Sequence, residues 1–176
     1  NGERETGVTI MYMAPELDAG DIIAQRATPI GPDETAPELF QRLAGLGAEL
    51  LGEVVAAMEQ GPAPRTPQDG AQATYAPMLG RELSPMDWTR SAQALHDQVR
   101  GLLPWPAATA ELGGTRCKVF ATAVVEADGV QTPGAVLEAG KNGLVIRCGG
   151  GTALRVLELQ PDGKKRMAAA DFLRGH

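Results

Sequence analysis

The stretch that decides the fold is residues 5–25, ETGVTIMYMAPELDAGDIIAQ, in which an apolar run enters a tight acidic turn and a second apolar run leaves it at once. The two runs predict strands over about 8–13 and 22–28. The turn presents two carboxylates, Asp18 and Asp21. A carboxylate fixed between two strands is rigid enough to orient a catalytic partner, but Asp and Gly are also ordinary turn formers. Both interpretations stay open at this point.

A long amphipathic helix is predicted after the break at residues 31–33, Gly-Pro-Asp. Thr35 is the expected N-cap, and Glu38 three residues later completes a capping box. Apolar side chains then recur at spacings of three and four and predict one buried stripe: Leu39, Leu43, Leu46, Leu50, Val54 and Met58. Three glycines within the helix indicate close packing against a sheet, because glycine otherwise weakens a helix. They are Gly45, Gly47 and Gly52.

The segment after this helix is rich in proline and glycine. Residues 60–70 read QGPAPRTPQDG, a composition that predicts an extended linker. We therefore predict a first domain piece over residues 1–60, a linker over 61–85 and a second domain over 86–176.

The second domain is predicted to combine a helix over residues 91–102 with a series of short strands. Strands are predicted over 107–112, 117–125, 134–139, 143–148 and 153–160, followed by a short helix over 167–173. Gly-rich turns separate the strands, which favours a small barrel. His96 is predicted to lie on the surface and not to bind a metal, because no second His or Cys has metal-site spacing. The fold class is therefore predicted to be α+β.

The composition, 43% hydrophobic and 22% charged residues, is typical of a soluble globular protein. No apolar run approaches the ~20 residues that a membrane helix needs, so no membrane association is predicted. Cys117 and Cys148 lack metal-ligand spacing and are expected to be reduced and partly buried. No metal site is predicted.

Charge is divided unevenly along the chain. Residues 1–80 hold 4 basic and 12 acidic side chains, whereas residues 81–176 hold 12 basic and 10 acidic ones. The second part can therefore offer local positive surface, although its small excess supports only weak, largely non-specific contact with phosphates.

Several short motifs, taken in their order along the chain, resemble the folate-dependent formyltransferases. The first two are TGVTIM at residues 6–11 and LDAGD at residues 17–21. The later ones resemble in particular the branch of this family that acts on methionyl-tRNA: ATYAP at 73–77, MDW at 86–88, PWP at 104–106, CKVF at 117–120 and LQPDGKK at 159–165. Because these motifs are collinear over nearly the whole chain, the chain is identified as a member of this family.

This resemblance implies a fold, a reaction and a site. Residues 1–60 would be the terminal strand-strand-helix piece of a Rossmann-like formyltransferase domain, and the second domain would be an OB-like barrel. The implied reaction transfers a formyl group from 10-formyltetrahydrofolate to the amino group of initiator methionyl-tRNA. Asp18 is the implied catalytic carboxylate. The implied folate site is lined by the backbone of Glu16, Leu17, Asp18, Ala19 and Gly20.

The family's catalytic Asn and His have no counterpart at matching positions of this chain, whose only histidines are His96 and His176. We therefore expect the chain to be the C-terminal portion of a longer enzyme and to be inactive alone. The longer enzyme is expected to be a cytoplasmic monomer.

The tRNA that the resemblance implies as a partner would meet basic residues of the second domain. The candidates are Arg116, Lys118, Arg147, Lys164, Lys165 and Arg166. The run from Lys164 to Arg166 is the densest, and a solvated turn explains it equally well. Trp105, which lies between two prolines, is predicted to be buried at the domain junction and not to stack on a base.

Two other functions remain compatible with these residues. The Leu-Asp-x-Gly turn is shared by other folate-dependent formyltransferases and hydrolases, such as one acting on an amino-sugar nucleotide. A different class is a stand-alone OB-like nucleic-acid-binding module with an acidic appendage.

Overall fold

The structure is a computed structural model that describes residues 1–175, so His176 lies outside the described residues. The chain forms two units. The turn unit comprises Glu3–Met78. The sheet unit comprises the described residues from Leu79 onward together with Asn1 and Gly2. Both combine helices with antiparallel strands, which agrees with the predicted α+β class.

The turn unit begins with the predicted strand pair. Strand β1 spans Glu5–Met11 and strand β2 spans Ile22–Pro29, and the two are antiparallel. Exposed and partly buried residues alternate along both strands, as expected where one face is covered. The register shifts between Ile10 and Met11, immediately before the turn.

The predicted long helix, α1, spans Ala36–Met58 and packs on the strand pair. At its start the carboxylate of Glu38 accepts hydrogen bonds from the hydroxyl of Thr35 at 2.6 Å and from its backbone N–H at 2.8 Å, which confirms the capping box. These hydrogen bonds, with the hydroxyl contributing most, lower the pKa of Glu38. The predicted stripe is buried at Leu50 and Val54, but Met58, in the last turn, is 47% exposed.

The three glycines of α1 differ in their surroundings. A Cβ added at Gly47 would meet the side chain of Val8 at 3.7 Å, in agreement with close packing on β1. A Cβ added at Gly45 or Gly52 would meet nothing within 4 Å. The prediction of close packing is therefore wrong for Gly45 and Gly52, because no described group approaches them.

The sheet unit is built from a six-stranded antiparallel sheet and two helices. The strands are β3 (Ala108–Leu112), β4 (Thr115–Val125), β5 (Val136–Gly140), β6 (Gly143–Arg147), β7 (Ala153–Pro161) and β8 (Met167–Ala168). Their order is β3-β4-β7-β6-β5, with β8 paired to β7. The helices are α2 (Ala92–Gly101) and α3 (Ala169–Leu173). Among residues 1–175, no helix has both the length and the apolarity needed to cross a bilayer.

The strands lie close to their predicted positions, but two details differ. The helix predicted over residues 167–173 starts later, because Met167 and Ala168 pair with Leu159 and Glu158 of β7. Within the described chain, β3 and β5 lie at opposite ends of the strand order and do not pair with each other. Closure of the sheet into an OB-like barrel therefore stays a prediction.

Apolar side chains of α2, α3 and the sheet form the core of this unit. Leu95 and Val99 lie on the buried face of α2. His96 is buried as well, at 6% exposure, and its Nδ1 lies 2.9 Å from the hydroxyl oxygen of Thr122. The prediction of a surface His96 is wrong, because α2 packs against β4 and brings Thr122 to the imidazole ring.

Trp105 also departs from the prediction. Its side chain is 53% exposed, whereas Trp88 packs against the core. The indole of Trp105 is thus available at the surface of the sheet unit.

Both cysteines are structural. Cys117 and Cys148 are buried, and burial raises the pKa of each thiol. The thiols are therefore protonated and unreactive at neutral pH.

Candidate functional site

The turn between β1 and β2 depends on a close approach of two backbone segments. The N–H of Tyr12 donates to the carbonyl of Asp21 at 2.9 Å. Gly20 is buried beside this contact, and a Cβ added to it would lie 1.7 Å from the carbonyl oxygen of Tyr12. Glycine is therefore required at this position by sterics.

We expect Gly20→Ala to destabilise the strand pair by about 1–3 kcal/mol, because the added methyl group forces the turn open. Native-state hydrogen exchange of the β1 and β2 amides in the 176-residue chain measures this local change. Gly45→Ala is the matched control, since its methyl group meets nothing within 4 Å. It should stabilise α1 by roughly 0.5–1 kcal/mol through helix propensity. Equal effects of the two substitutions would contradict the steric explanation.

Asp18 is held near the tip of the turn in the left-handed backbone region, with φ of 53°. Asp and Asn enter this region more readily than other non-glycine residues. The residue is exposed, and its carboxylate makes no hydrogen bond or ion pair with any residue of the described chain. It is thus presented to solvent and open to a partner.

Asp21, the other carboxylate of the turn, is already engaged. Its Oδ2 lies 3.3 Å from Nη1 of Arg65. The guanidinium of Arg65 also lies over the ring of Tyr12, 3.7 Å from its centroid. The two carboxylates therefore differ: Asp21 stabilises the turn, and Asp18 is presented by it.

A proline-rich strap, residues 62–68, holds the turn from one side. The backbones of Thr66 and Ile22 exchange two hydrogen bonds, at 2.8 and 3.0 Å, so the strap adds a short antiparallel bridge to β2. The hydroxyl of Tyr12 donates to the carbonyl of Ala63 at 3.3 Å. The side-chain amide of Gln68 donates to the carbonyls of both Asp18 and Gly20, each at 2.7 Å.

This role of the strap was not predicted, because the composition of residues 60–70 indicates only a linker. The spacing of the prolines is the sequence signal that indicates an extended segment able to pair with a strand. Pro64 and Pro67 restrict Ala63 and Thr66 to extended backbone, the conformation that can pair with an edge strand. No pattern in the sequence indicates that the strap pairs with β2.

Residues 16–19 form an exposed ledge at the tip of the turn. Leu17 is 91% exposed, and Met13 on the approach to the turn is 96% exposed. Four of the five predicted folate-site residues thus lie on this ledge, with polar backbone groups beside apolar side chains, whereas the fifth, Gly20, is buried.

In the sheet unit, four of the six predicted tRNA contacts form a basic surface: Arg116, Lys118, Lys164 and Lys165. The first two are exposed and alternate on β4, so they share one face. Lys118 lies opposite Gln160 of β7. The side-chain amide of Gln160 donates to the carbonyl of Lys164 at 2.9 Å, which brings the turn after β7 next to β4.

Arg166 adjoins this surface, but its guanidinium is occupied. Its Nε donates to Glu158 at 2.9 Å, and the guanidinium carbon lies 4.5 Å from the centroid of the Phe120 ring. Its charge is therefore partly neutralised by Glu158.

Arg147 does not belong to the basic surface, and its prediction as a phosphate contact is wrong. It is 1% exposed, because β6 is buried along its whole length. Its guanidinium donates to four oxygen atoms of the protein: the carbonyls of Ala127, Asp128 and Gly151 and the side chain of Gln131. Arg147 thus fastens the loops after β4 and β6.

We expect Arg147→Met to lower the free energy of unfolding by about 3 kcal/mol, since it leaves several buried carbonyls without donors. Urea unfolding of the 176-residue chain, followed by the fluorescence of Trp88 and Trp105, measures this. Arg155→Met is the control, because Arg155 is 29% exposed and forms an ion pair with Glu138. It should cost well below half as much. A small effect of Arg147→Met would show that the loops hold without it.

Comparison with known proteins gives matches over the whole chain. The family model described as "Formyl transferase, C-terminal domain" matches residues 79–176, and that described as "Formyl transferase" matches residues 1–55. The methionyl-tRNA formyltransferase of Trichlorobacter lovleyi is 43% identical over 176 residues, which are 100% of this chain and 55% of the relative. That of Citrifermentans bemidjiense is 46% identical over 176 residues, which cover 54% of the relative. The chain thus spans about half the length of these curated relatives.

Among solved structures, the fold is similar to that of HypX from Aquifex aeolicus in complex with tetrahydrofolic acid. The TM-score is 0.71 at 23% sequence identity, and the match covers 98% of this chain and 30% of HypX. At this level of identity the similarity concerns the fold alone.

Proposed function

Because the chain belongs to the formyl transferase family, we propose that it is part of a protein that transfers a formyl group from 10-formyltetrahydrofolate to the amino group of initiator methionyl-tRNA. The observation that carries this proposal is the identity of 43% and 46%, over all 176 residues, to two methionyl-tRNA formyltransferases. On this chain, the group that would take part in catalysis is the exposed carboxylate of Asp18.

Formyl transfer sets the demands on the site. The amine of the methionyl group attacks the formyl carbon, and the carbonyl oxygen becomes an oxyanion in the tetrahedral intermediate. When this intermediate collapses, the bond between the formyl carbon and N10 of the folate breaks, and N10 takes up a proton as tetrahydrofolate leaves. The nitrogen must lose protons, and the oxyanion needs hydrogen-bond donors. The family resemblance implies an Asn and a His as those donors.

Asp18 would act on the imidazole of that His. A carboxylate within ~4–6 Å raises the pKa of an imidazole and favours the imidazolium, which is the stronger donor to an oxyanion. What supports this role is the lack of any competing partner for Asp18 among the described residues, in contrast to Asp21 with its Arg65.

The ledge at residues 16–19, together with the backbone of Gly20, would line the folate site. Its backbone carbonyl and N–H groups can hydrogen-bond the edge of a pteridine ring, and the exposed side chain of Leu17 can cover the ring's face. The bound folate supplies the formyl group; the ledge binds and orients it beside Asp18.

The basic surface of the sheet unit would hold the tRNA by its phosphates. Its four exposed cations provide charge without a pattern for reading bases. We also propose that the sheet closes as an OB-like barrel in this family, and that the protein is a cytoplasmic monomer that needs no metal.

The test is an assay of the protein encoded by the complete reading frame that contains residues 1–176. We expect transfer of the formyl group to initiator methionyl-tRNA and none to a nucleotide-linked amino sugar. Transfer to the amino sugar alone would replace this proposal by the sugar formyltransferase. Binding of tRNA without any formyl transfer would favour the stand-alone binding module.

A further inference from the structure

We propose that Gln68 is a positioning residue for formyl transfer, because its side-chain amide fixes the direction in which the turn presents the Asp18 carboxylate. This inference rests on the function proposed above. Gln68 does not contact the reacting groups and acts through the backbone of the turn.

The side chain of Gln68 forms hydrogen bonds with the turn at two points. One nitrogen, Nε2, donates to the carbonyl of Asp18 and to that of Gly20, each at 2.7 Å. A primary amide carries two N–H groups, so both bonds can form at once. The carbonyls of Asp18 and Gly20 are thereby directed at the same atom, which fixes the Asp18–Ala19 and Gly20–Asp21 peptide groups.

The position of Gln68 is itself fixed by the strap. Thr66 exchanges two backbone hydrogen bonds with Ile22, and Pro67 restricts the next step of the chain. Gln68 therefore lies only two residues after Thr66, which is hydrogen-bonded to β2. This arrangement transmits the rigidity of the strand pair to the exposed tip of the turn.

Asp18 requires contacts from outside the turn to fix its position. Its backbone lies in a sparsely populated region, and residues 15–19 are exposed. Within the described residues, its side chain makes no hydrogen bond or ion pair that would fix it. Without Gln68, the carboxylate would sample several directions, and a displacement of about 1 Å in a catalytic group can reduce a rate about 10²-fold.

The first test compares the kinetics of three variants of the protein encoded by the complete reading frame. Gln68→Met keeps the length of the side chain but removes both donors; we expect kcat to fall roughly 10–10²-fold, with smaller changes in KM. Gln68→Lys restores donors and should recover part of the loss. Gln25→Met is the matched control, because within residues 1–175 the Gln25 amide donates to the hydroxyl of Thr9 on the same strand pair, at 3.1 Å, and not to the turn. It should leave kcat unchanged.

A double-mutant cycle separates positioning from stability. If Gln68 acts through Asp18, Gln68→Met should add little to Asp18→Asn, because the charge that it directs is already gone. Two losses that multiply would overturn the proposal, as would a Gln68→Lys variant no better than Gln68→Met.

A second measurement does not depend on activity. We expect the NMR order parameters of the amides at residues 17–20 in the 176-residue chain to be those of rigid backbone. Gln68→Met should lower them below ~0.6, whereas Gln25→Met should not. Unchanged order parameters in Gln68→Met would refute the positioning role even if the wild-type protein formylates tRNA. Lowered ones would support the hold on the turn even if the wild-type protein proves inactive toward tRNA, an outcome that refutes the proposed function.

Discussion

Replacing Asp18 by Asn is expected to lower the turnover of formyl transfer by roughly 10²–10⁴-fold while the fold stays intact. Asn is nearly isosteric with Asp and tolerates the left-handed backbone of this position. The variant therefore removes the charge and little else. In the proposed mechanism, the partner imidazole would then lose the interaction that keeps it protonated, and the oxyanion would lose its stronger donor.

Asp21→Asn gives the matched control, because it removes a carboxylate from the same turn. Asp21 interacts with Arg65 across 3.3 Å at a partly exposed position, so the variant should cost at most about 1 kcal/mol in stability. Its turnover should remain within a few-fold of wild type. The measurement is steady-state kinetics with circular dichroism of both variants. Near-parental turnover of Asp18→Asn would leave Asp18 as a turn former only.

Removing the four charges of the basic surface is expected to weaken tRNA binding by about 10²-fold at physiological salt. Each phosphate contact that is lost should reduce the slope of log affinity against log salt by about 0.7–0.9. The measurement is a titration of initiator methionyl-tRNA at several salt concentrations, with Arg116, Lys118, Lys164 and Lys165 replaced by Gln. The KM for the folate should hardly change, because the proposed folate ledge lies in the turn unit.

Arg166→Gln is the control for this surface. Arg166 is also exposed to solvent but is paired with Glu158, so its removal should change the salt slope by less than one full contact. An unaltered tRNA affinity in the fourfold variant would show that these four side chains are only solvated and do not bind tRNA. The contact with RNA would then have to be sought elsewhere on the protein.

The elements with strong local signals were predictable from the sequence. The strand pair, α1 and α2 follow from periodicity and capping, since Thr35 with Glu38 specifies the start of α1 within a few residues. The turn between β1 and β2 was predicted for a similar reason, and its role as a folate site stays a prediction. Its glycine and carboxylates lie within eight residues of sequence, so their contacts are mainly local.

The features that escaped prediction depend on partners far away in sequence. Gln68 bonds to carbonyls 48 and 50 residues before it, and the sequence around it indicated only a linker. Arg147 was taken as a surface cation because of its charge. Its burial is decided by loop carbonyls up to 20 residues away, although the apolar neighbours Leu144, Val145 and Ile146 gave a hint.

His96 illustrates the same limit. A histidine on an amphipathic helix was assigned to the polar face, but the ring meets Thr122, 26 residues further along on β4. Whether a polar side chain finds a buried partner depends on tertiary packing, which periodicity does not describe.

The left-handed backbone at Asp18 also restricts how this position can change over generations. Most substitutions there would strain the backbone, whereas Asn and Gly occupy that region at low cost. Copies of the gene that escape selection for catalysis but not for folding should therefore accumulate Asn or Gly at residue 18 ahead of Ala, Val or Glu. In an alignment of such sequences, the residue at position 18 would distinguish copies that have lost catalytic activity from active enzymes.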